Sequence, residues 1–202
     1  MPEPGSPTNT TMRICDHHIV PRNWDQYYAD SEHVDLAADP LLIQAAELLP
    51  PGHALDLACG PGRHALYLGL LGWQVTAVDS SATAIGLLRM QSAGLAIDSR
   101  LADLERGQFT LPPDTYDLVC DFHYLHRDLF PRMRDSVHPG GVFVAAIHLA
   151  GEDVNLSPHN PVFLLQPGEL RAFFDGWEVL FYSEGGGSAA TRKSAKIIAR
   201  RA

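Results

Sequence analysis

The stretch Ala54-Leu-Asp-Leu-Ala-Cys-Gly-Pro-Gly-Arg-His-Ala-Leu66 opens on a short apolar run, Ala54 to Ala58, suited to a buried parallel strand. Pro50-Pro51-Gly52 ahead of it stops any preceding helix. Gly60 and Gly62 then allow a tight turn and a close backbone approach, and helical spacing of Ala65, Leu66, Leu68 and Leu71 follows at once. A helix beginning at such a turn aims its free amides and the positive end of its dipole at whatever the turn holds. Gly72 ends the helix and Gln74-Val-Thr-Ala-Val78 supplies a second strand, so the stretch nucleates a β-α-β unit.

The same alternation continues downstream. Ser80 or Ser81 caps a helix through Ile85, Leu87, Leu88 and Met90 to Gly94, and residues 97 to 102 form a third strand. Tyr116-Asp-Leu-Val-Cys120 is a fourth strand and Leu129 to Val137 a helix. Gly141-Val-Phe-Val-Ala-Ala-Ile147 is a fifth strand after the Pro139-Gly-Gly turn. Five strands alternating with helices specify an α/β sheet with right-handed crossovers, doubly wound, whose ligand sites lie beyond the carboxyl ends of the strands. Function is therefore expected after residues 58, 79, 103, 121 and 147. Gly176 to Tyr182 and Ser194 to Arg200 flank a Gly185-Gly-Gly loop and are expected to close the fold with an antiparallel hairpin.

Upstream, Trp24, Tyr27 and Tyr28, then Leu41, Leu42, Ala45, Ala46, Leu48 and Leu49, are spaced as on helical faces, so two helices precede the sheet. Residues 1–20, with Pro2, Pro4, Gly5, Ser6, Pro7 and Asn9 and no periodicity, are expected to be a disordered tail. Residues 149–166 form a long loop with Asn155, His159, Asn160, Pro161 and Phe163, suited to substrate selection, before a helix opened by Pro167-Gly-Glu169.

The 202 residues suit one domain, read as 21–202, and 46% hydrophobic with 19% charged residues is an ordinary globular composition. A formal charge of −9 disfavours a nucleic-acid partner. No apolar run is long enough for a bilayer span, and no basic-then-apolar segment follows Met1, so no membrane partner and a cytoplasmic location are expected. Cys15, Cys59 and Cys120 have no C-x-x-C spacing, and His17-His18 has no further ligand at a suitable distance, so no metal site is expected.

The cofactor class rests on acids rather than glycines, because Gly60-Pro-Gly62-Arg-His-Ala65 also satisfies the G-x-G-x-x-A dinucleotide pattern. Asp56, four positions before Gly60, would repel a pyrophosphate but not a cationic cofactor. S-adenosylmethionine carries a sulfonium and an ammonium and no phosphate. Asp79, closing strand two, can accept from both hydroxyls of an adenosine ribose, as it could for NAD. Asp103, closing strand three, can accept from the adenine amino group while the Leu104 amide serves a ring nitrogen.

Asp56-Leu-Ala-Cys-Gly-Pro-Gly62 matches E/D-x-x-x-G-x-G, and from about Trp24 to Arg200 the chain resembles the class I S-adenosylmethionine-dependent methyltransferases. Asp56-Leu-Ala-Cys-Gly-Pro-Gly-Arg-His-Ala65 is similar to the small-molecule branch that includes tellurite-resistance and thiopurine methyltransferases, with His64 in place of the usual asparagine. The resemblance implies a Rossmann-like, seven-stranded, mostly parallel sheet. It also implies cofactor roles for Asp56, Gly60, Gly62, Asp79 and Asp103, and an aromatic N-terminal cover for which Trp24 and Tyr28 are candidates. Ala58, Cys59 and Arg63 at the turn, Ser80 after strand two and Phe122 after strand four complete the expected cofactor-binding set. Trp24, Tyr27 and Tyr28 would equally suit a core.

The expected reaction is transfer of a methyl group from S-adenosylmethionine to a small-molecule acceptor by in-line displacement, in a monomer or homodimer. Such a reaction needs alignment and exclusion of water more than a base. Where a base helps, Asp121-Phe-His-Tyr-Leu-His126 offers His123, Tyr124 and His126. The same segment lacks the prolines of the D/N-P-P-Y/F clamp for flipped bases. The alternatives are a cofactor-binding regulatory module without turnover and, less favoured, an NAD-dependent enzyme; Asp56 discriminates against the second. Cys59 and Cys120, at the ends of neighbouring strands, leave a thiophilic substrate as a minor option.

Overall fold

A computed structural model describes residues 23–30, 35–151, 161–186 and 193–202. The tail with Cys15 and His17-His18, and the loop residues Asn155, His159 and Asn160, lie outside the described residues.

Apolar runs separated by glycine and proline turns build seven strands. They are β1 (His53–Leu57), β2 (Gln74–Asp79), β3 (Ile97–Leu101), β4 (Tyr116–Phe122), β5 (Val137–His148), β6 (Glu178–Gly185) and β7 (Ser194–Arg200). They join in the order β3-β2-β1-β4-β5-β7-β6. The pairs among β1 to β5 are parallel, whereas β7 runs antiparallel to both β5 and β6. The doubly wound sheet with its antiparallel C-terminal hairpin is thus as expected. From β1 the chain winds outward through β2 and β3, then returns to β4 on the other side of β1. The resulting crevice at the carboxyl ends of β1 and β4 is where such sheets bind ligands.

Both faces of the sheet are covered. On one face α2 (Pro40–Ala46), α3 (Arg63–Leu70) and α4 (Ala82–Gln91) bury Leu41, Leu42, Ala65, Leu68, Ile85 and Leu88 against Ala54, Ala77, Leu118, Val144 and Ile198. On the other, α5 (Phe130–Ser136) and α6 (Glu169–Ala172) bring Phe130, Met133 and Leu170 onto Leu55, Leu57, Val119, Phe143 and Ile197, with Phe174 just beyond α6. The alternation along β5, Val142, Val144 and Ala146 to one side and Phe143, Ala145 and Ile147 to the other, follows from the period of two.

α1 (Trp24–Asp30) buries none of its residues, so Trp24, Tyr27 and Tyr28 are not core residues. Several boundaries differ from the sequence expectation, among them β6, which runs Glu178–Gly185 rather than 176–182, and α4, which ends at Gln91. β5 begins at Val137 rather than Gly141, because Gly140 donates to the Arg201 carbonyl and Arg201 donates to that of Gly141, which draws the Pro139-Gly-Gly turn into the ladder. The helix expected over 129–137 is α5 preceded by a 3₁₀ turn, Arg127–Leu129. Residues 161–163 of the long loop form another 3₁₀ turn, held by the Arg127 guanidinium, which donates to the carbonyls of Val162 and Leu164 and pairs with Glu169. No helix among the described residues is long and apolar enough to cross a membrane.

Candidate cofactor and acceptor site

The turn after β1 requires left-handed backbone at Ala58 (φ 50°), Gly60 (φ 54°) and Gly62 (φ 89°). Hydrogen bonds lock it: Cys59 N to the Val78 carbonyl (3.0 Å), Gly62 N to the Cys59 carbonyl (3.0 Å) and Leu66 N to the Gly62 carbonyl (2.8 Å). A side chain would also meet close neighbours at both glycines. A β-carbon on Gly60 would stand 2.6 Å from the Tyr28 hydroxyl, and one on Gly62 would overlap the buried side chain of Leu88. Gly62→Ala is therefore expected to lower stability by about 2–4 kcal/mol, summing left-handed strain and overpacking, as a fall in the urea midpoint at unchanged m-value.

Asp79 braces the turn from β2. One carboxylate oxygen accepts from Gly60 N at 2.8 Å and the other from Ser81 N at 2.8 Å. Burial raises its pKa, and the amides of Ser81, Gly60 and Ser80 oppose that rise. Each oxygen keeps a lone pair, so further donors such as ribose hydroxyls could still be received. Ser80 is exposed beside it, and Arg63 is half-buried at the start of α3.

Asp56 lies almost wholly buried beneath the turn, 1% exposed, where it accepts from Ala65 N at 3.1 Å with His64 Nδ1 at 3.9 Å. Loss of solvent pushes its pKa up to about 7; the Ala65 amide and Arg63 offset part of that shift and Asp79 adds to it. His64 packs at a tilt against Phe122 with ring centroids 4.1 Å apart, and burial drops its pKa to about 3, so the imidazole is neutral and supplies no counter-charge.

Asp103 is partly committed elsewhere. One oxygen accepts from the amides of Glu105 (2.9 Å) and Arg106 (3.2 Å), and the other pairs with the Arg106 guanidinium at 3.3 Å. An adenine amino group would have to share this carboxylate with Arg106. Leu104 is buried next to it. Trp24 and Tyr28 stand on α1, stacked at 6.1 Å, with Tyr28 half-buried against Gly60. Cys59 and Cys120 are both buried free thiols, Cys120 within β4 rather than at its end, and burial pushes both thiols well above their ordinary range. This weakens the thiophilic option, which needs thiolates.

The end of β4 carries the remaining candidates. His123, exposed at φ 64°, stacks on His148 at 4.7 Å. Tyr124 and His126 each hold a buried polar atom, the hydroxyl oxygen and Nδ1, without a hydrogen-bond partner. Burial, with Glu105, Asp121 and Asp103, raises the Tyr124 pKa far out of the useful range, which makes its phenolate a poor base and its hydroxyl a donor.

Asp121 went unassigned in the sequence although it stands one residue before the end of β4, much as Asp79 closes β2. It is fully buried, and both oxygens lack a hydrogen-bond partner of normal geometry. Burial and then Asp56 raise its pKa strongly, eased only by the Tyr124 amide. Asp25 was also missed, because its partners are far away in sequence. Among the described residues no cluster of three or more histidine, cysteine or acidic side chains could hold a metal ion.

Residues 22–197 match the family described as tellurite resistance protein TehB. The chain is 30% identical over 152 residues to the probable S-adenosyl-L-methionine-dependent methyltransferase TehB of Haemophilus influenzae, covering 71% of this chain and 52% of that protein. It thus spans about half the length of the curated relatives it matches. The crystal structure of TehB from Haemophilus influenzae superposes with a TM-score of 0.72 at 24% identity, over 89% of this chain and 67% of that one. The Burkholderia thailandensis 1,6-didemethyltoxoflavin-N1-methyltransferase, solved with 1,6-didemethyltoxoflavin and S-adenosylhomocysteine bound, superposes with a TM-score of 0.60 at 19% identity, over 80% and 76% of the two chains. The structural likenesses establish a shared fold.

Proposed function

Because this chain belongs to the tellurite resistance protein TehB family, we propose that it is an S-adenosylmethionine-dependent methyltransferase acting on a small-molecule acceptor. The observation that carries this reading is the pair of buried carboxylates, Asp56 and Asp121, at the carboxyl ends of β1 and β4, with a neutral His64 between α3 and Phe122. Asp56, whose pKa of about 7 leaves it substantially ionised near neutral pH, would repel a phosphate-bearing cofactor, whereas a cation favours the ionised form of both acids. Residues 21–202 act as one domain in this reading.

Bound S-adenosylmethionine supplies an electrophilic methyl group on a positively charged sulfur. Gly60 and Gly62 let it approach the backbone, Asp79 receives the ribose hydroxyls through its free lone pairs, and Asp103 with the Leu104 amide meets the adenine edge. Trp24 and Tyr28 cover the turn from α1, while Ala58, Cys59, Arg63, Ser80 and Phe122 complete the walls. The acceptor enters from the end of β4, where the work of the protein is alignment and exclusion of water. His123 or His126 takes the acceptor proton where one must leave, and the Tyr124 hydroxyl donates a hydrogen bond.

Titration calorimetry with S-adenosylmethionine and S-adenosylhomocysteine tests the cofactor. Binding of either in the micromolar range is expected; no binding at high micromolar concentration, or preference for NAD, would overturn the proposal. Mass spectrometry of a small-molecule panel, oxyanions of tellurium and selenium and small thiols among them, tests turnover. Tight cofactor binding with no methylated product from any acceptor would favour a regulatory module instead.

A further inference from the structure

α1 and the turn after β2 are joined by a hydrogen-bonded link that neither the glycine motif nor the strand-end acids account for. One oxygen of Asp25, on α1, accepts from the Ser81 hydroxyl at 2.7 Å and from the Thr83 amide at 3.0 Å. Ser81 is the N-cap of α4: its hydroxyl oxygen accepts from Ala84 N at 3.1 Å, and its own amide donates to Asp79 at 2.8 Å. The other Asp79 oxygen receives Gly60 N, and the Tyr28 hydroxyl, one turn from Asp25 along α1, rests over Gly60. The contacts close a ring that runs from Asp79 through Gly60 and Tyr28 to α1, and back through Asp25 and Ser81. α1 therefore touches both groups on which the two Asp79 oxygens depend.

We propose that Asp25 is a cofactor-positioning residue, which ties α1 to Ser81 and so holds Asp79 and the Gly60 turn in the geometry that receives the adenosine ribose. The proposal rests on the cofactor reading given above. Hydrogen bonds from Ser81 first, then from the Thr83 amide, hold the Asp25 carboxyl below its usual range, so it stays an acceptor across the neutral region. α1 buries no residue of its own; Tyr28 is half-buried over Gly60, and Asp25 is bonded to the start of α4. The two bonds at Asp25 join α1 to the start of α4, and their loss is expected to leave the sheet and the α2–α4 face intact.

The test uses the full chain and S-adenosylhomocysteine as the probe, titrated against wild type, Asp25→Ala, Asp25→Asn and Ser81→Ala. Asp25→Ala is expected to raise the Kd about five- to tenfold, the scale of one or two lost hydrogen bonds to a charged group. Asp25→Asn keeps an oxygen that can accept both bonds and is expected to remain within about threefold of wild type. Ser81→Ala is expected to weaken binding, and Asp25→Ala added to it to cost little more, because the two share one interaction. Thermal unfolding of Asp25→Ala without ligand should stay close to wild type. Wild-type affinity in Asp25→Ala, equal weakening in both Asp25 variants, or a loss matched by a large fall in thermal stability would each overturn the proposal. Absence of binding to wild type itself would remove the cofactor reading along with it, so the two failures are distinguishable.

Discussion

Asp79→Ala is expected to lose both cofactor affinity and stability, because one side chain serves both ends of the site. Two buried amides, Gly60 N and Ser81 N, lose their acceptor together. Leaving a buried donor unsatisfied costs about 1–3 kcal/mol, so the pair costs roughly 2–5 kcal/mol, or a fall of about 5–15 °C in Tm for a chain of this size. The cofactor loses its charge-assisted ribose acceptor as well, with an expected further loss of at least about 1–2 kcal/mol in binding. Differential scanning calorimetry with and without S-adenosylhomocysteine measures both effects. Unchanged affinity in a folded Asp79→Ala protein would remove the ribose from this end of the sheet.

Asp56→Asn is expected to move stability and binding in opposite directions. The folded pKa of Asp56 lies at about 7, above the ordinary carboxylate value of 3.8. Such a group favours the folded state fully below the unfolded pKa, and the contribution is lost as pH rises through the folded one. Wild type is therefore expected to lose stability between about pH 4 and 7, and the amide variant to show a flatter profile. A shift of this size corresponds to roughly 2–4 kcal/mol in favour of the variant at pH 8. Asp79 and Asp121, whose values are also raised, titrate in the same sense in both proteins and leave a residual slope. Binding of S-adenosylmethionine should meanwhile weaken by at least about 1–2 kcal/mol, since the cation loses a buried anion. Urea unfolding from pH 4 to 8, with calorimetry at pH 8, tests both, and parallel stability profiles of the two proteins would show that Asp56 is ionised in the empty fold.

A stabilising loss of function has a physical basis here. Desolvating a carboxylate without a partner is costly, and a fold tolerates it where the partner is a ligand. The orphaned atoms of Asp121, His64, Tyr124 and His126 follow the same logic, since all four residues lie on α3 beside the turn, at the end of β4 or on the segment leaving it.

Local signals in the sequence determined the winding of the sheet. The period-two and period-3.6 patterns, stopped by Pro50-Pro51-Gly52, Gly72 and Gly94, place β1 to β5 in order, and right-handed crossovers then leave few arrangements of the sheet. Gly60, Gly62, Asp56 and Asp79 were legible because tight turns and strand ends restrict which residues can stand there. Tertiary structure alone decided what those residues face. The burial of Asp56 beside His64 is set by the packing around the turn, the role of Asp25 by Ser81 fifty-six positions away, and the state of Asp103 by how Arg106 folds back. Charge, burial and hydrogen-bond partners are properties of three-dimensional neighbourhoods, so a strand-end acid in the sequence marks the site while its protonation and its tasks are set by packing.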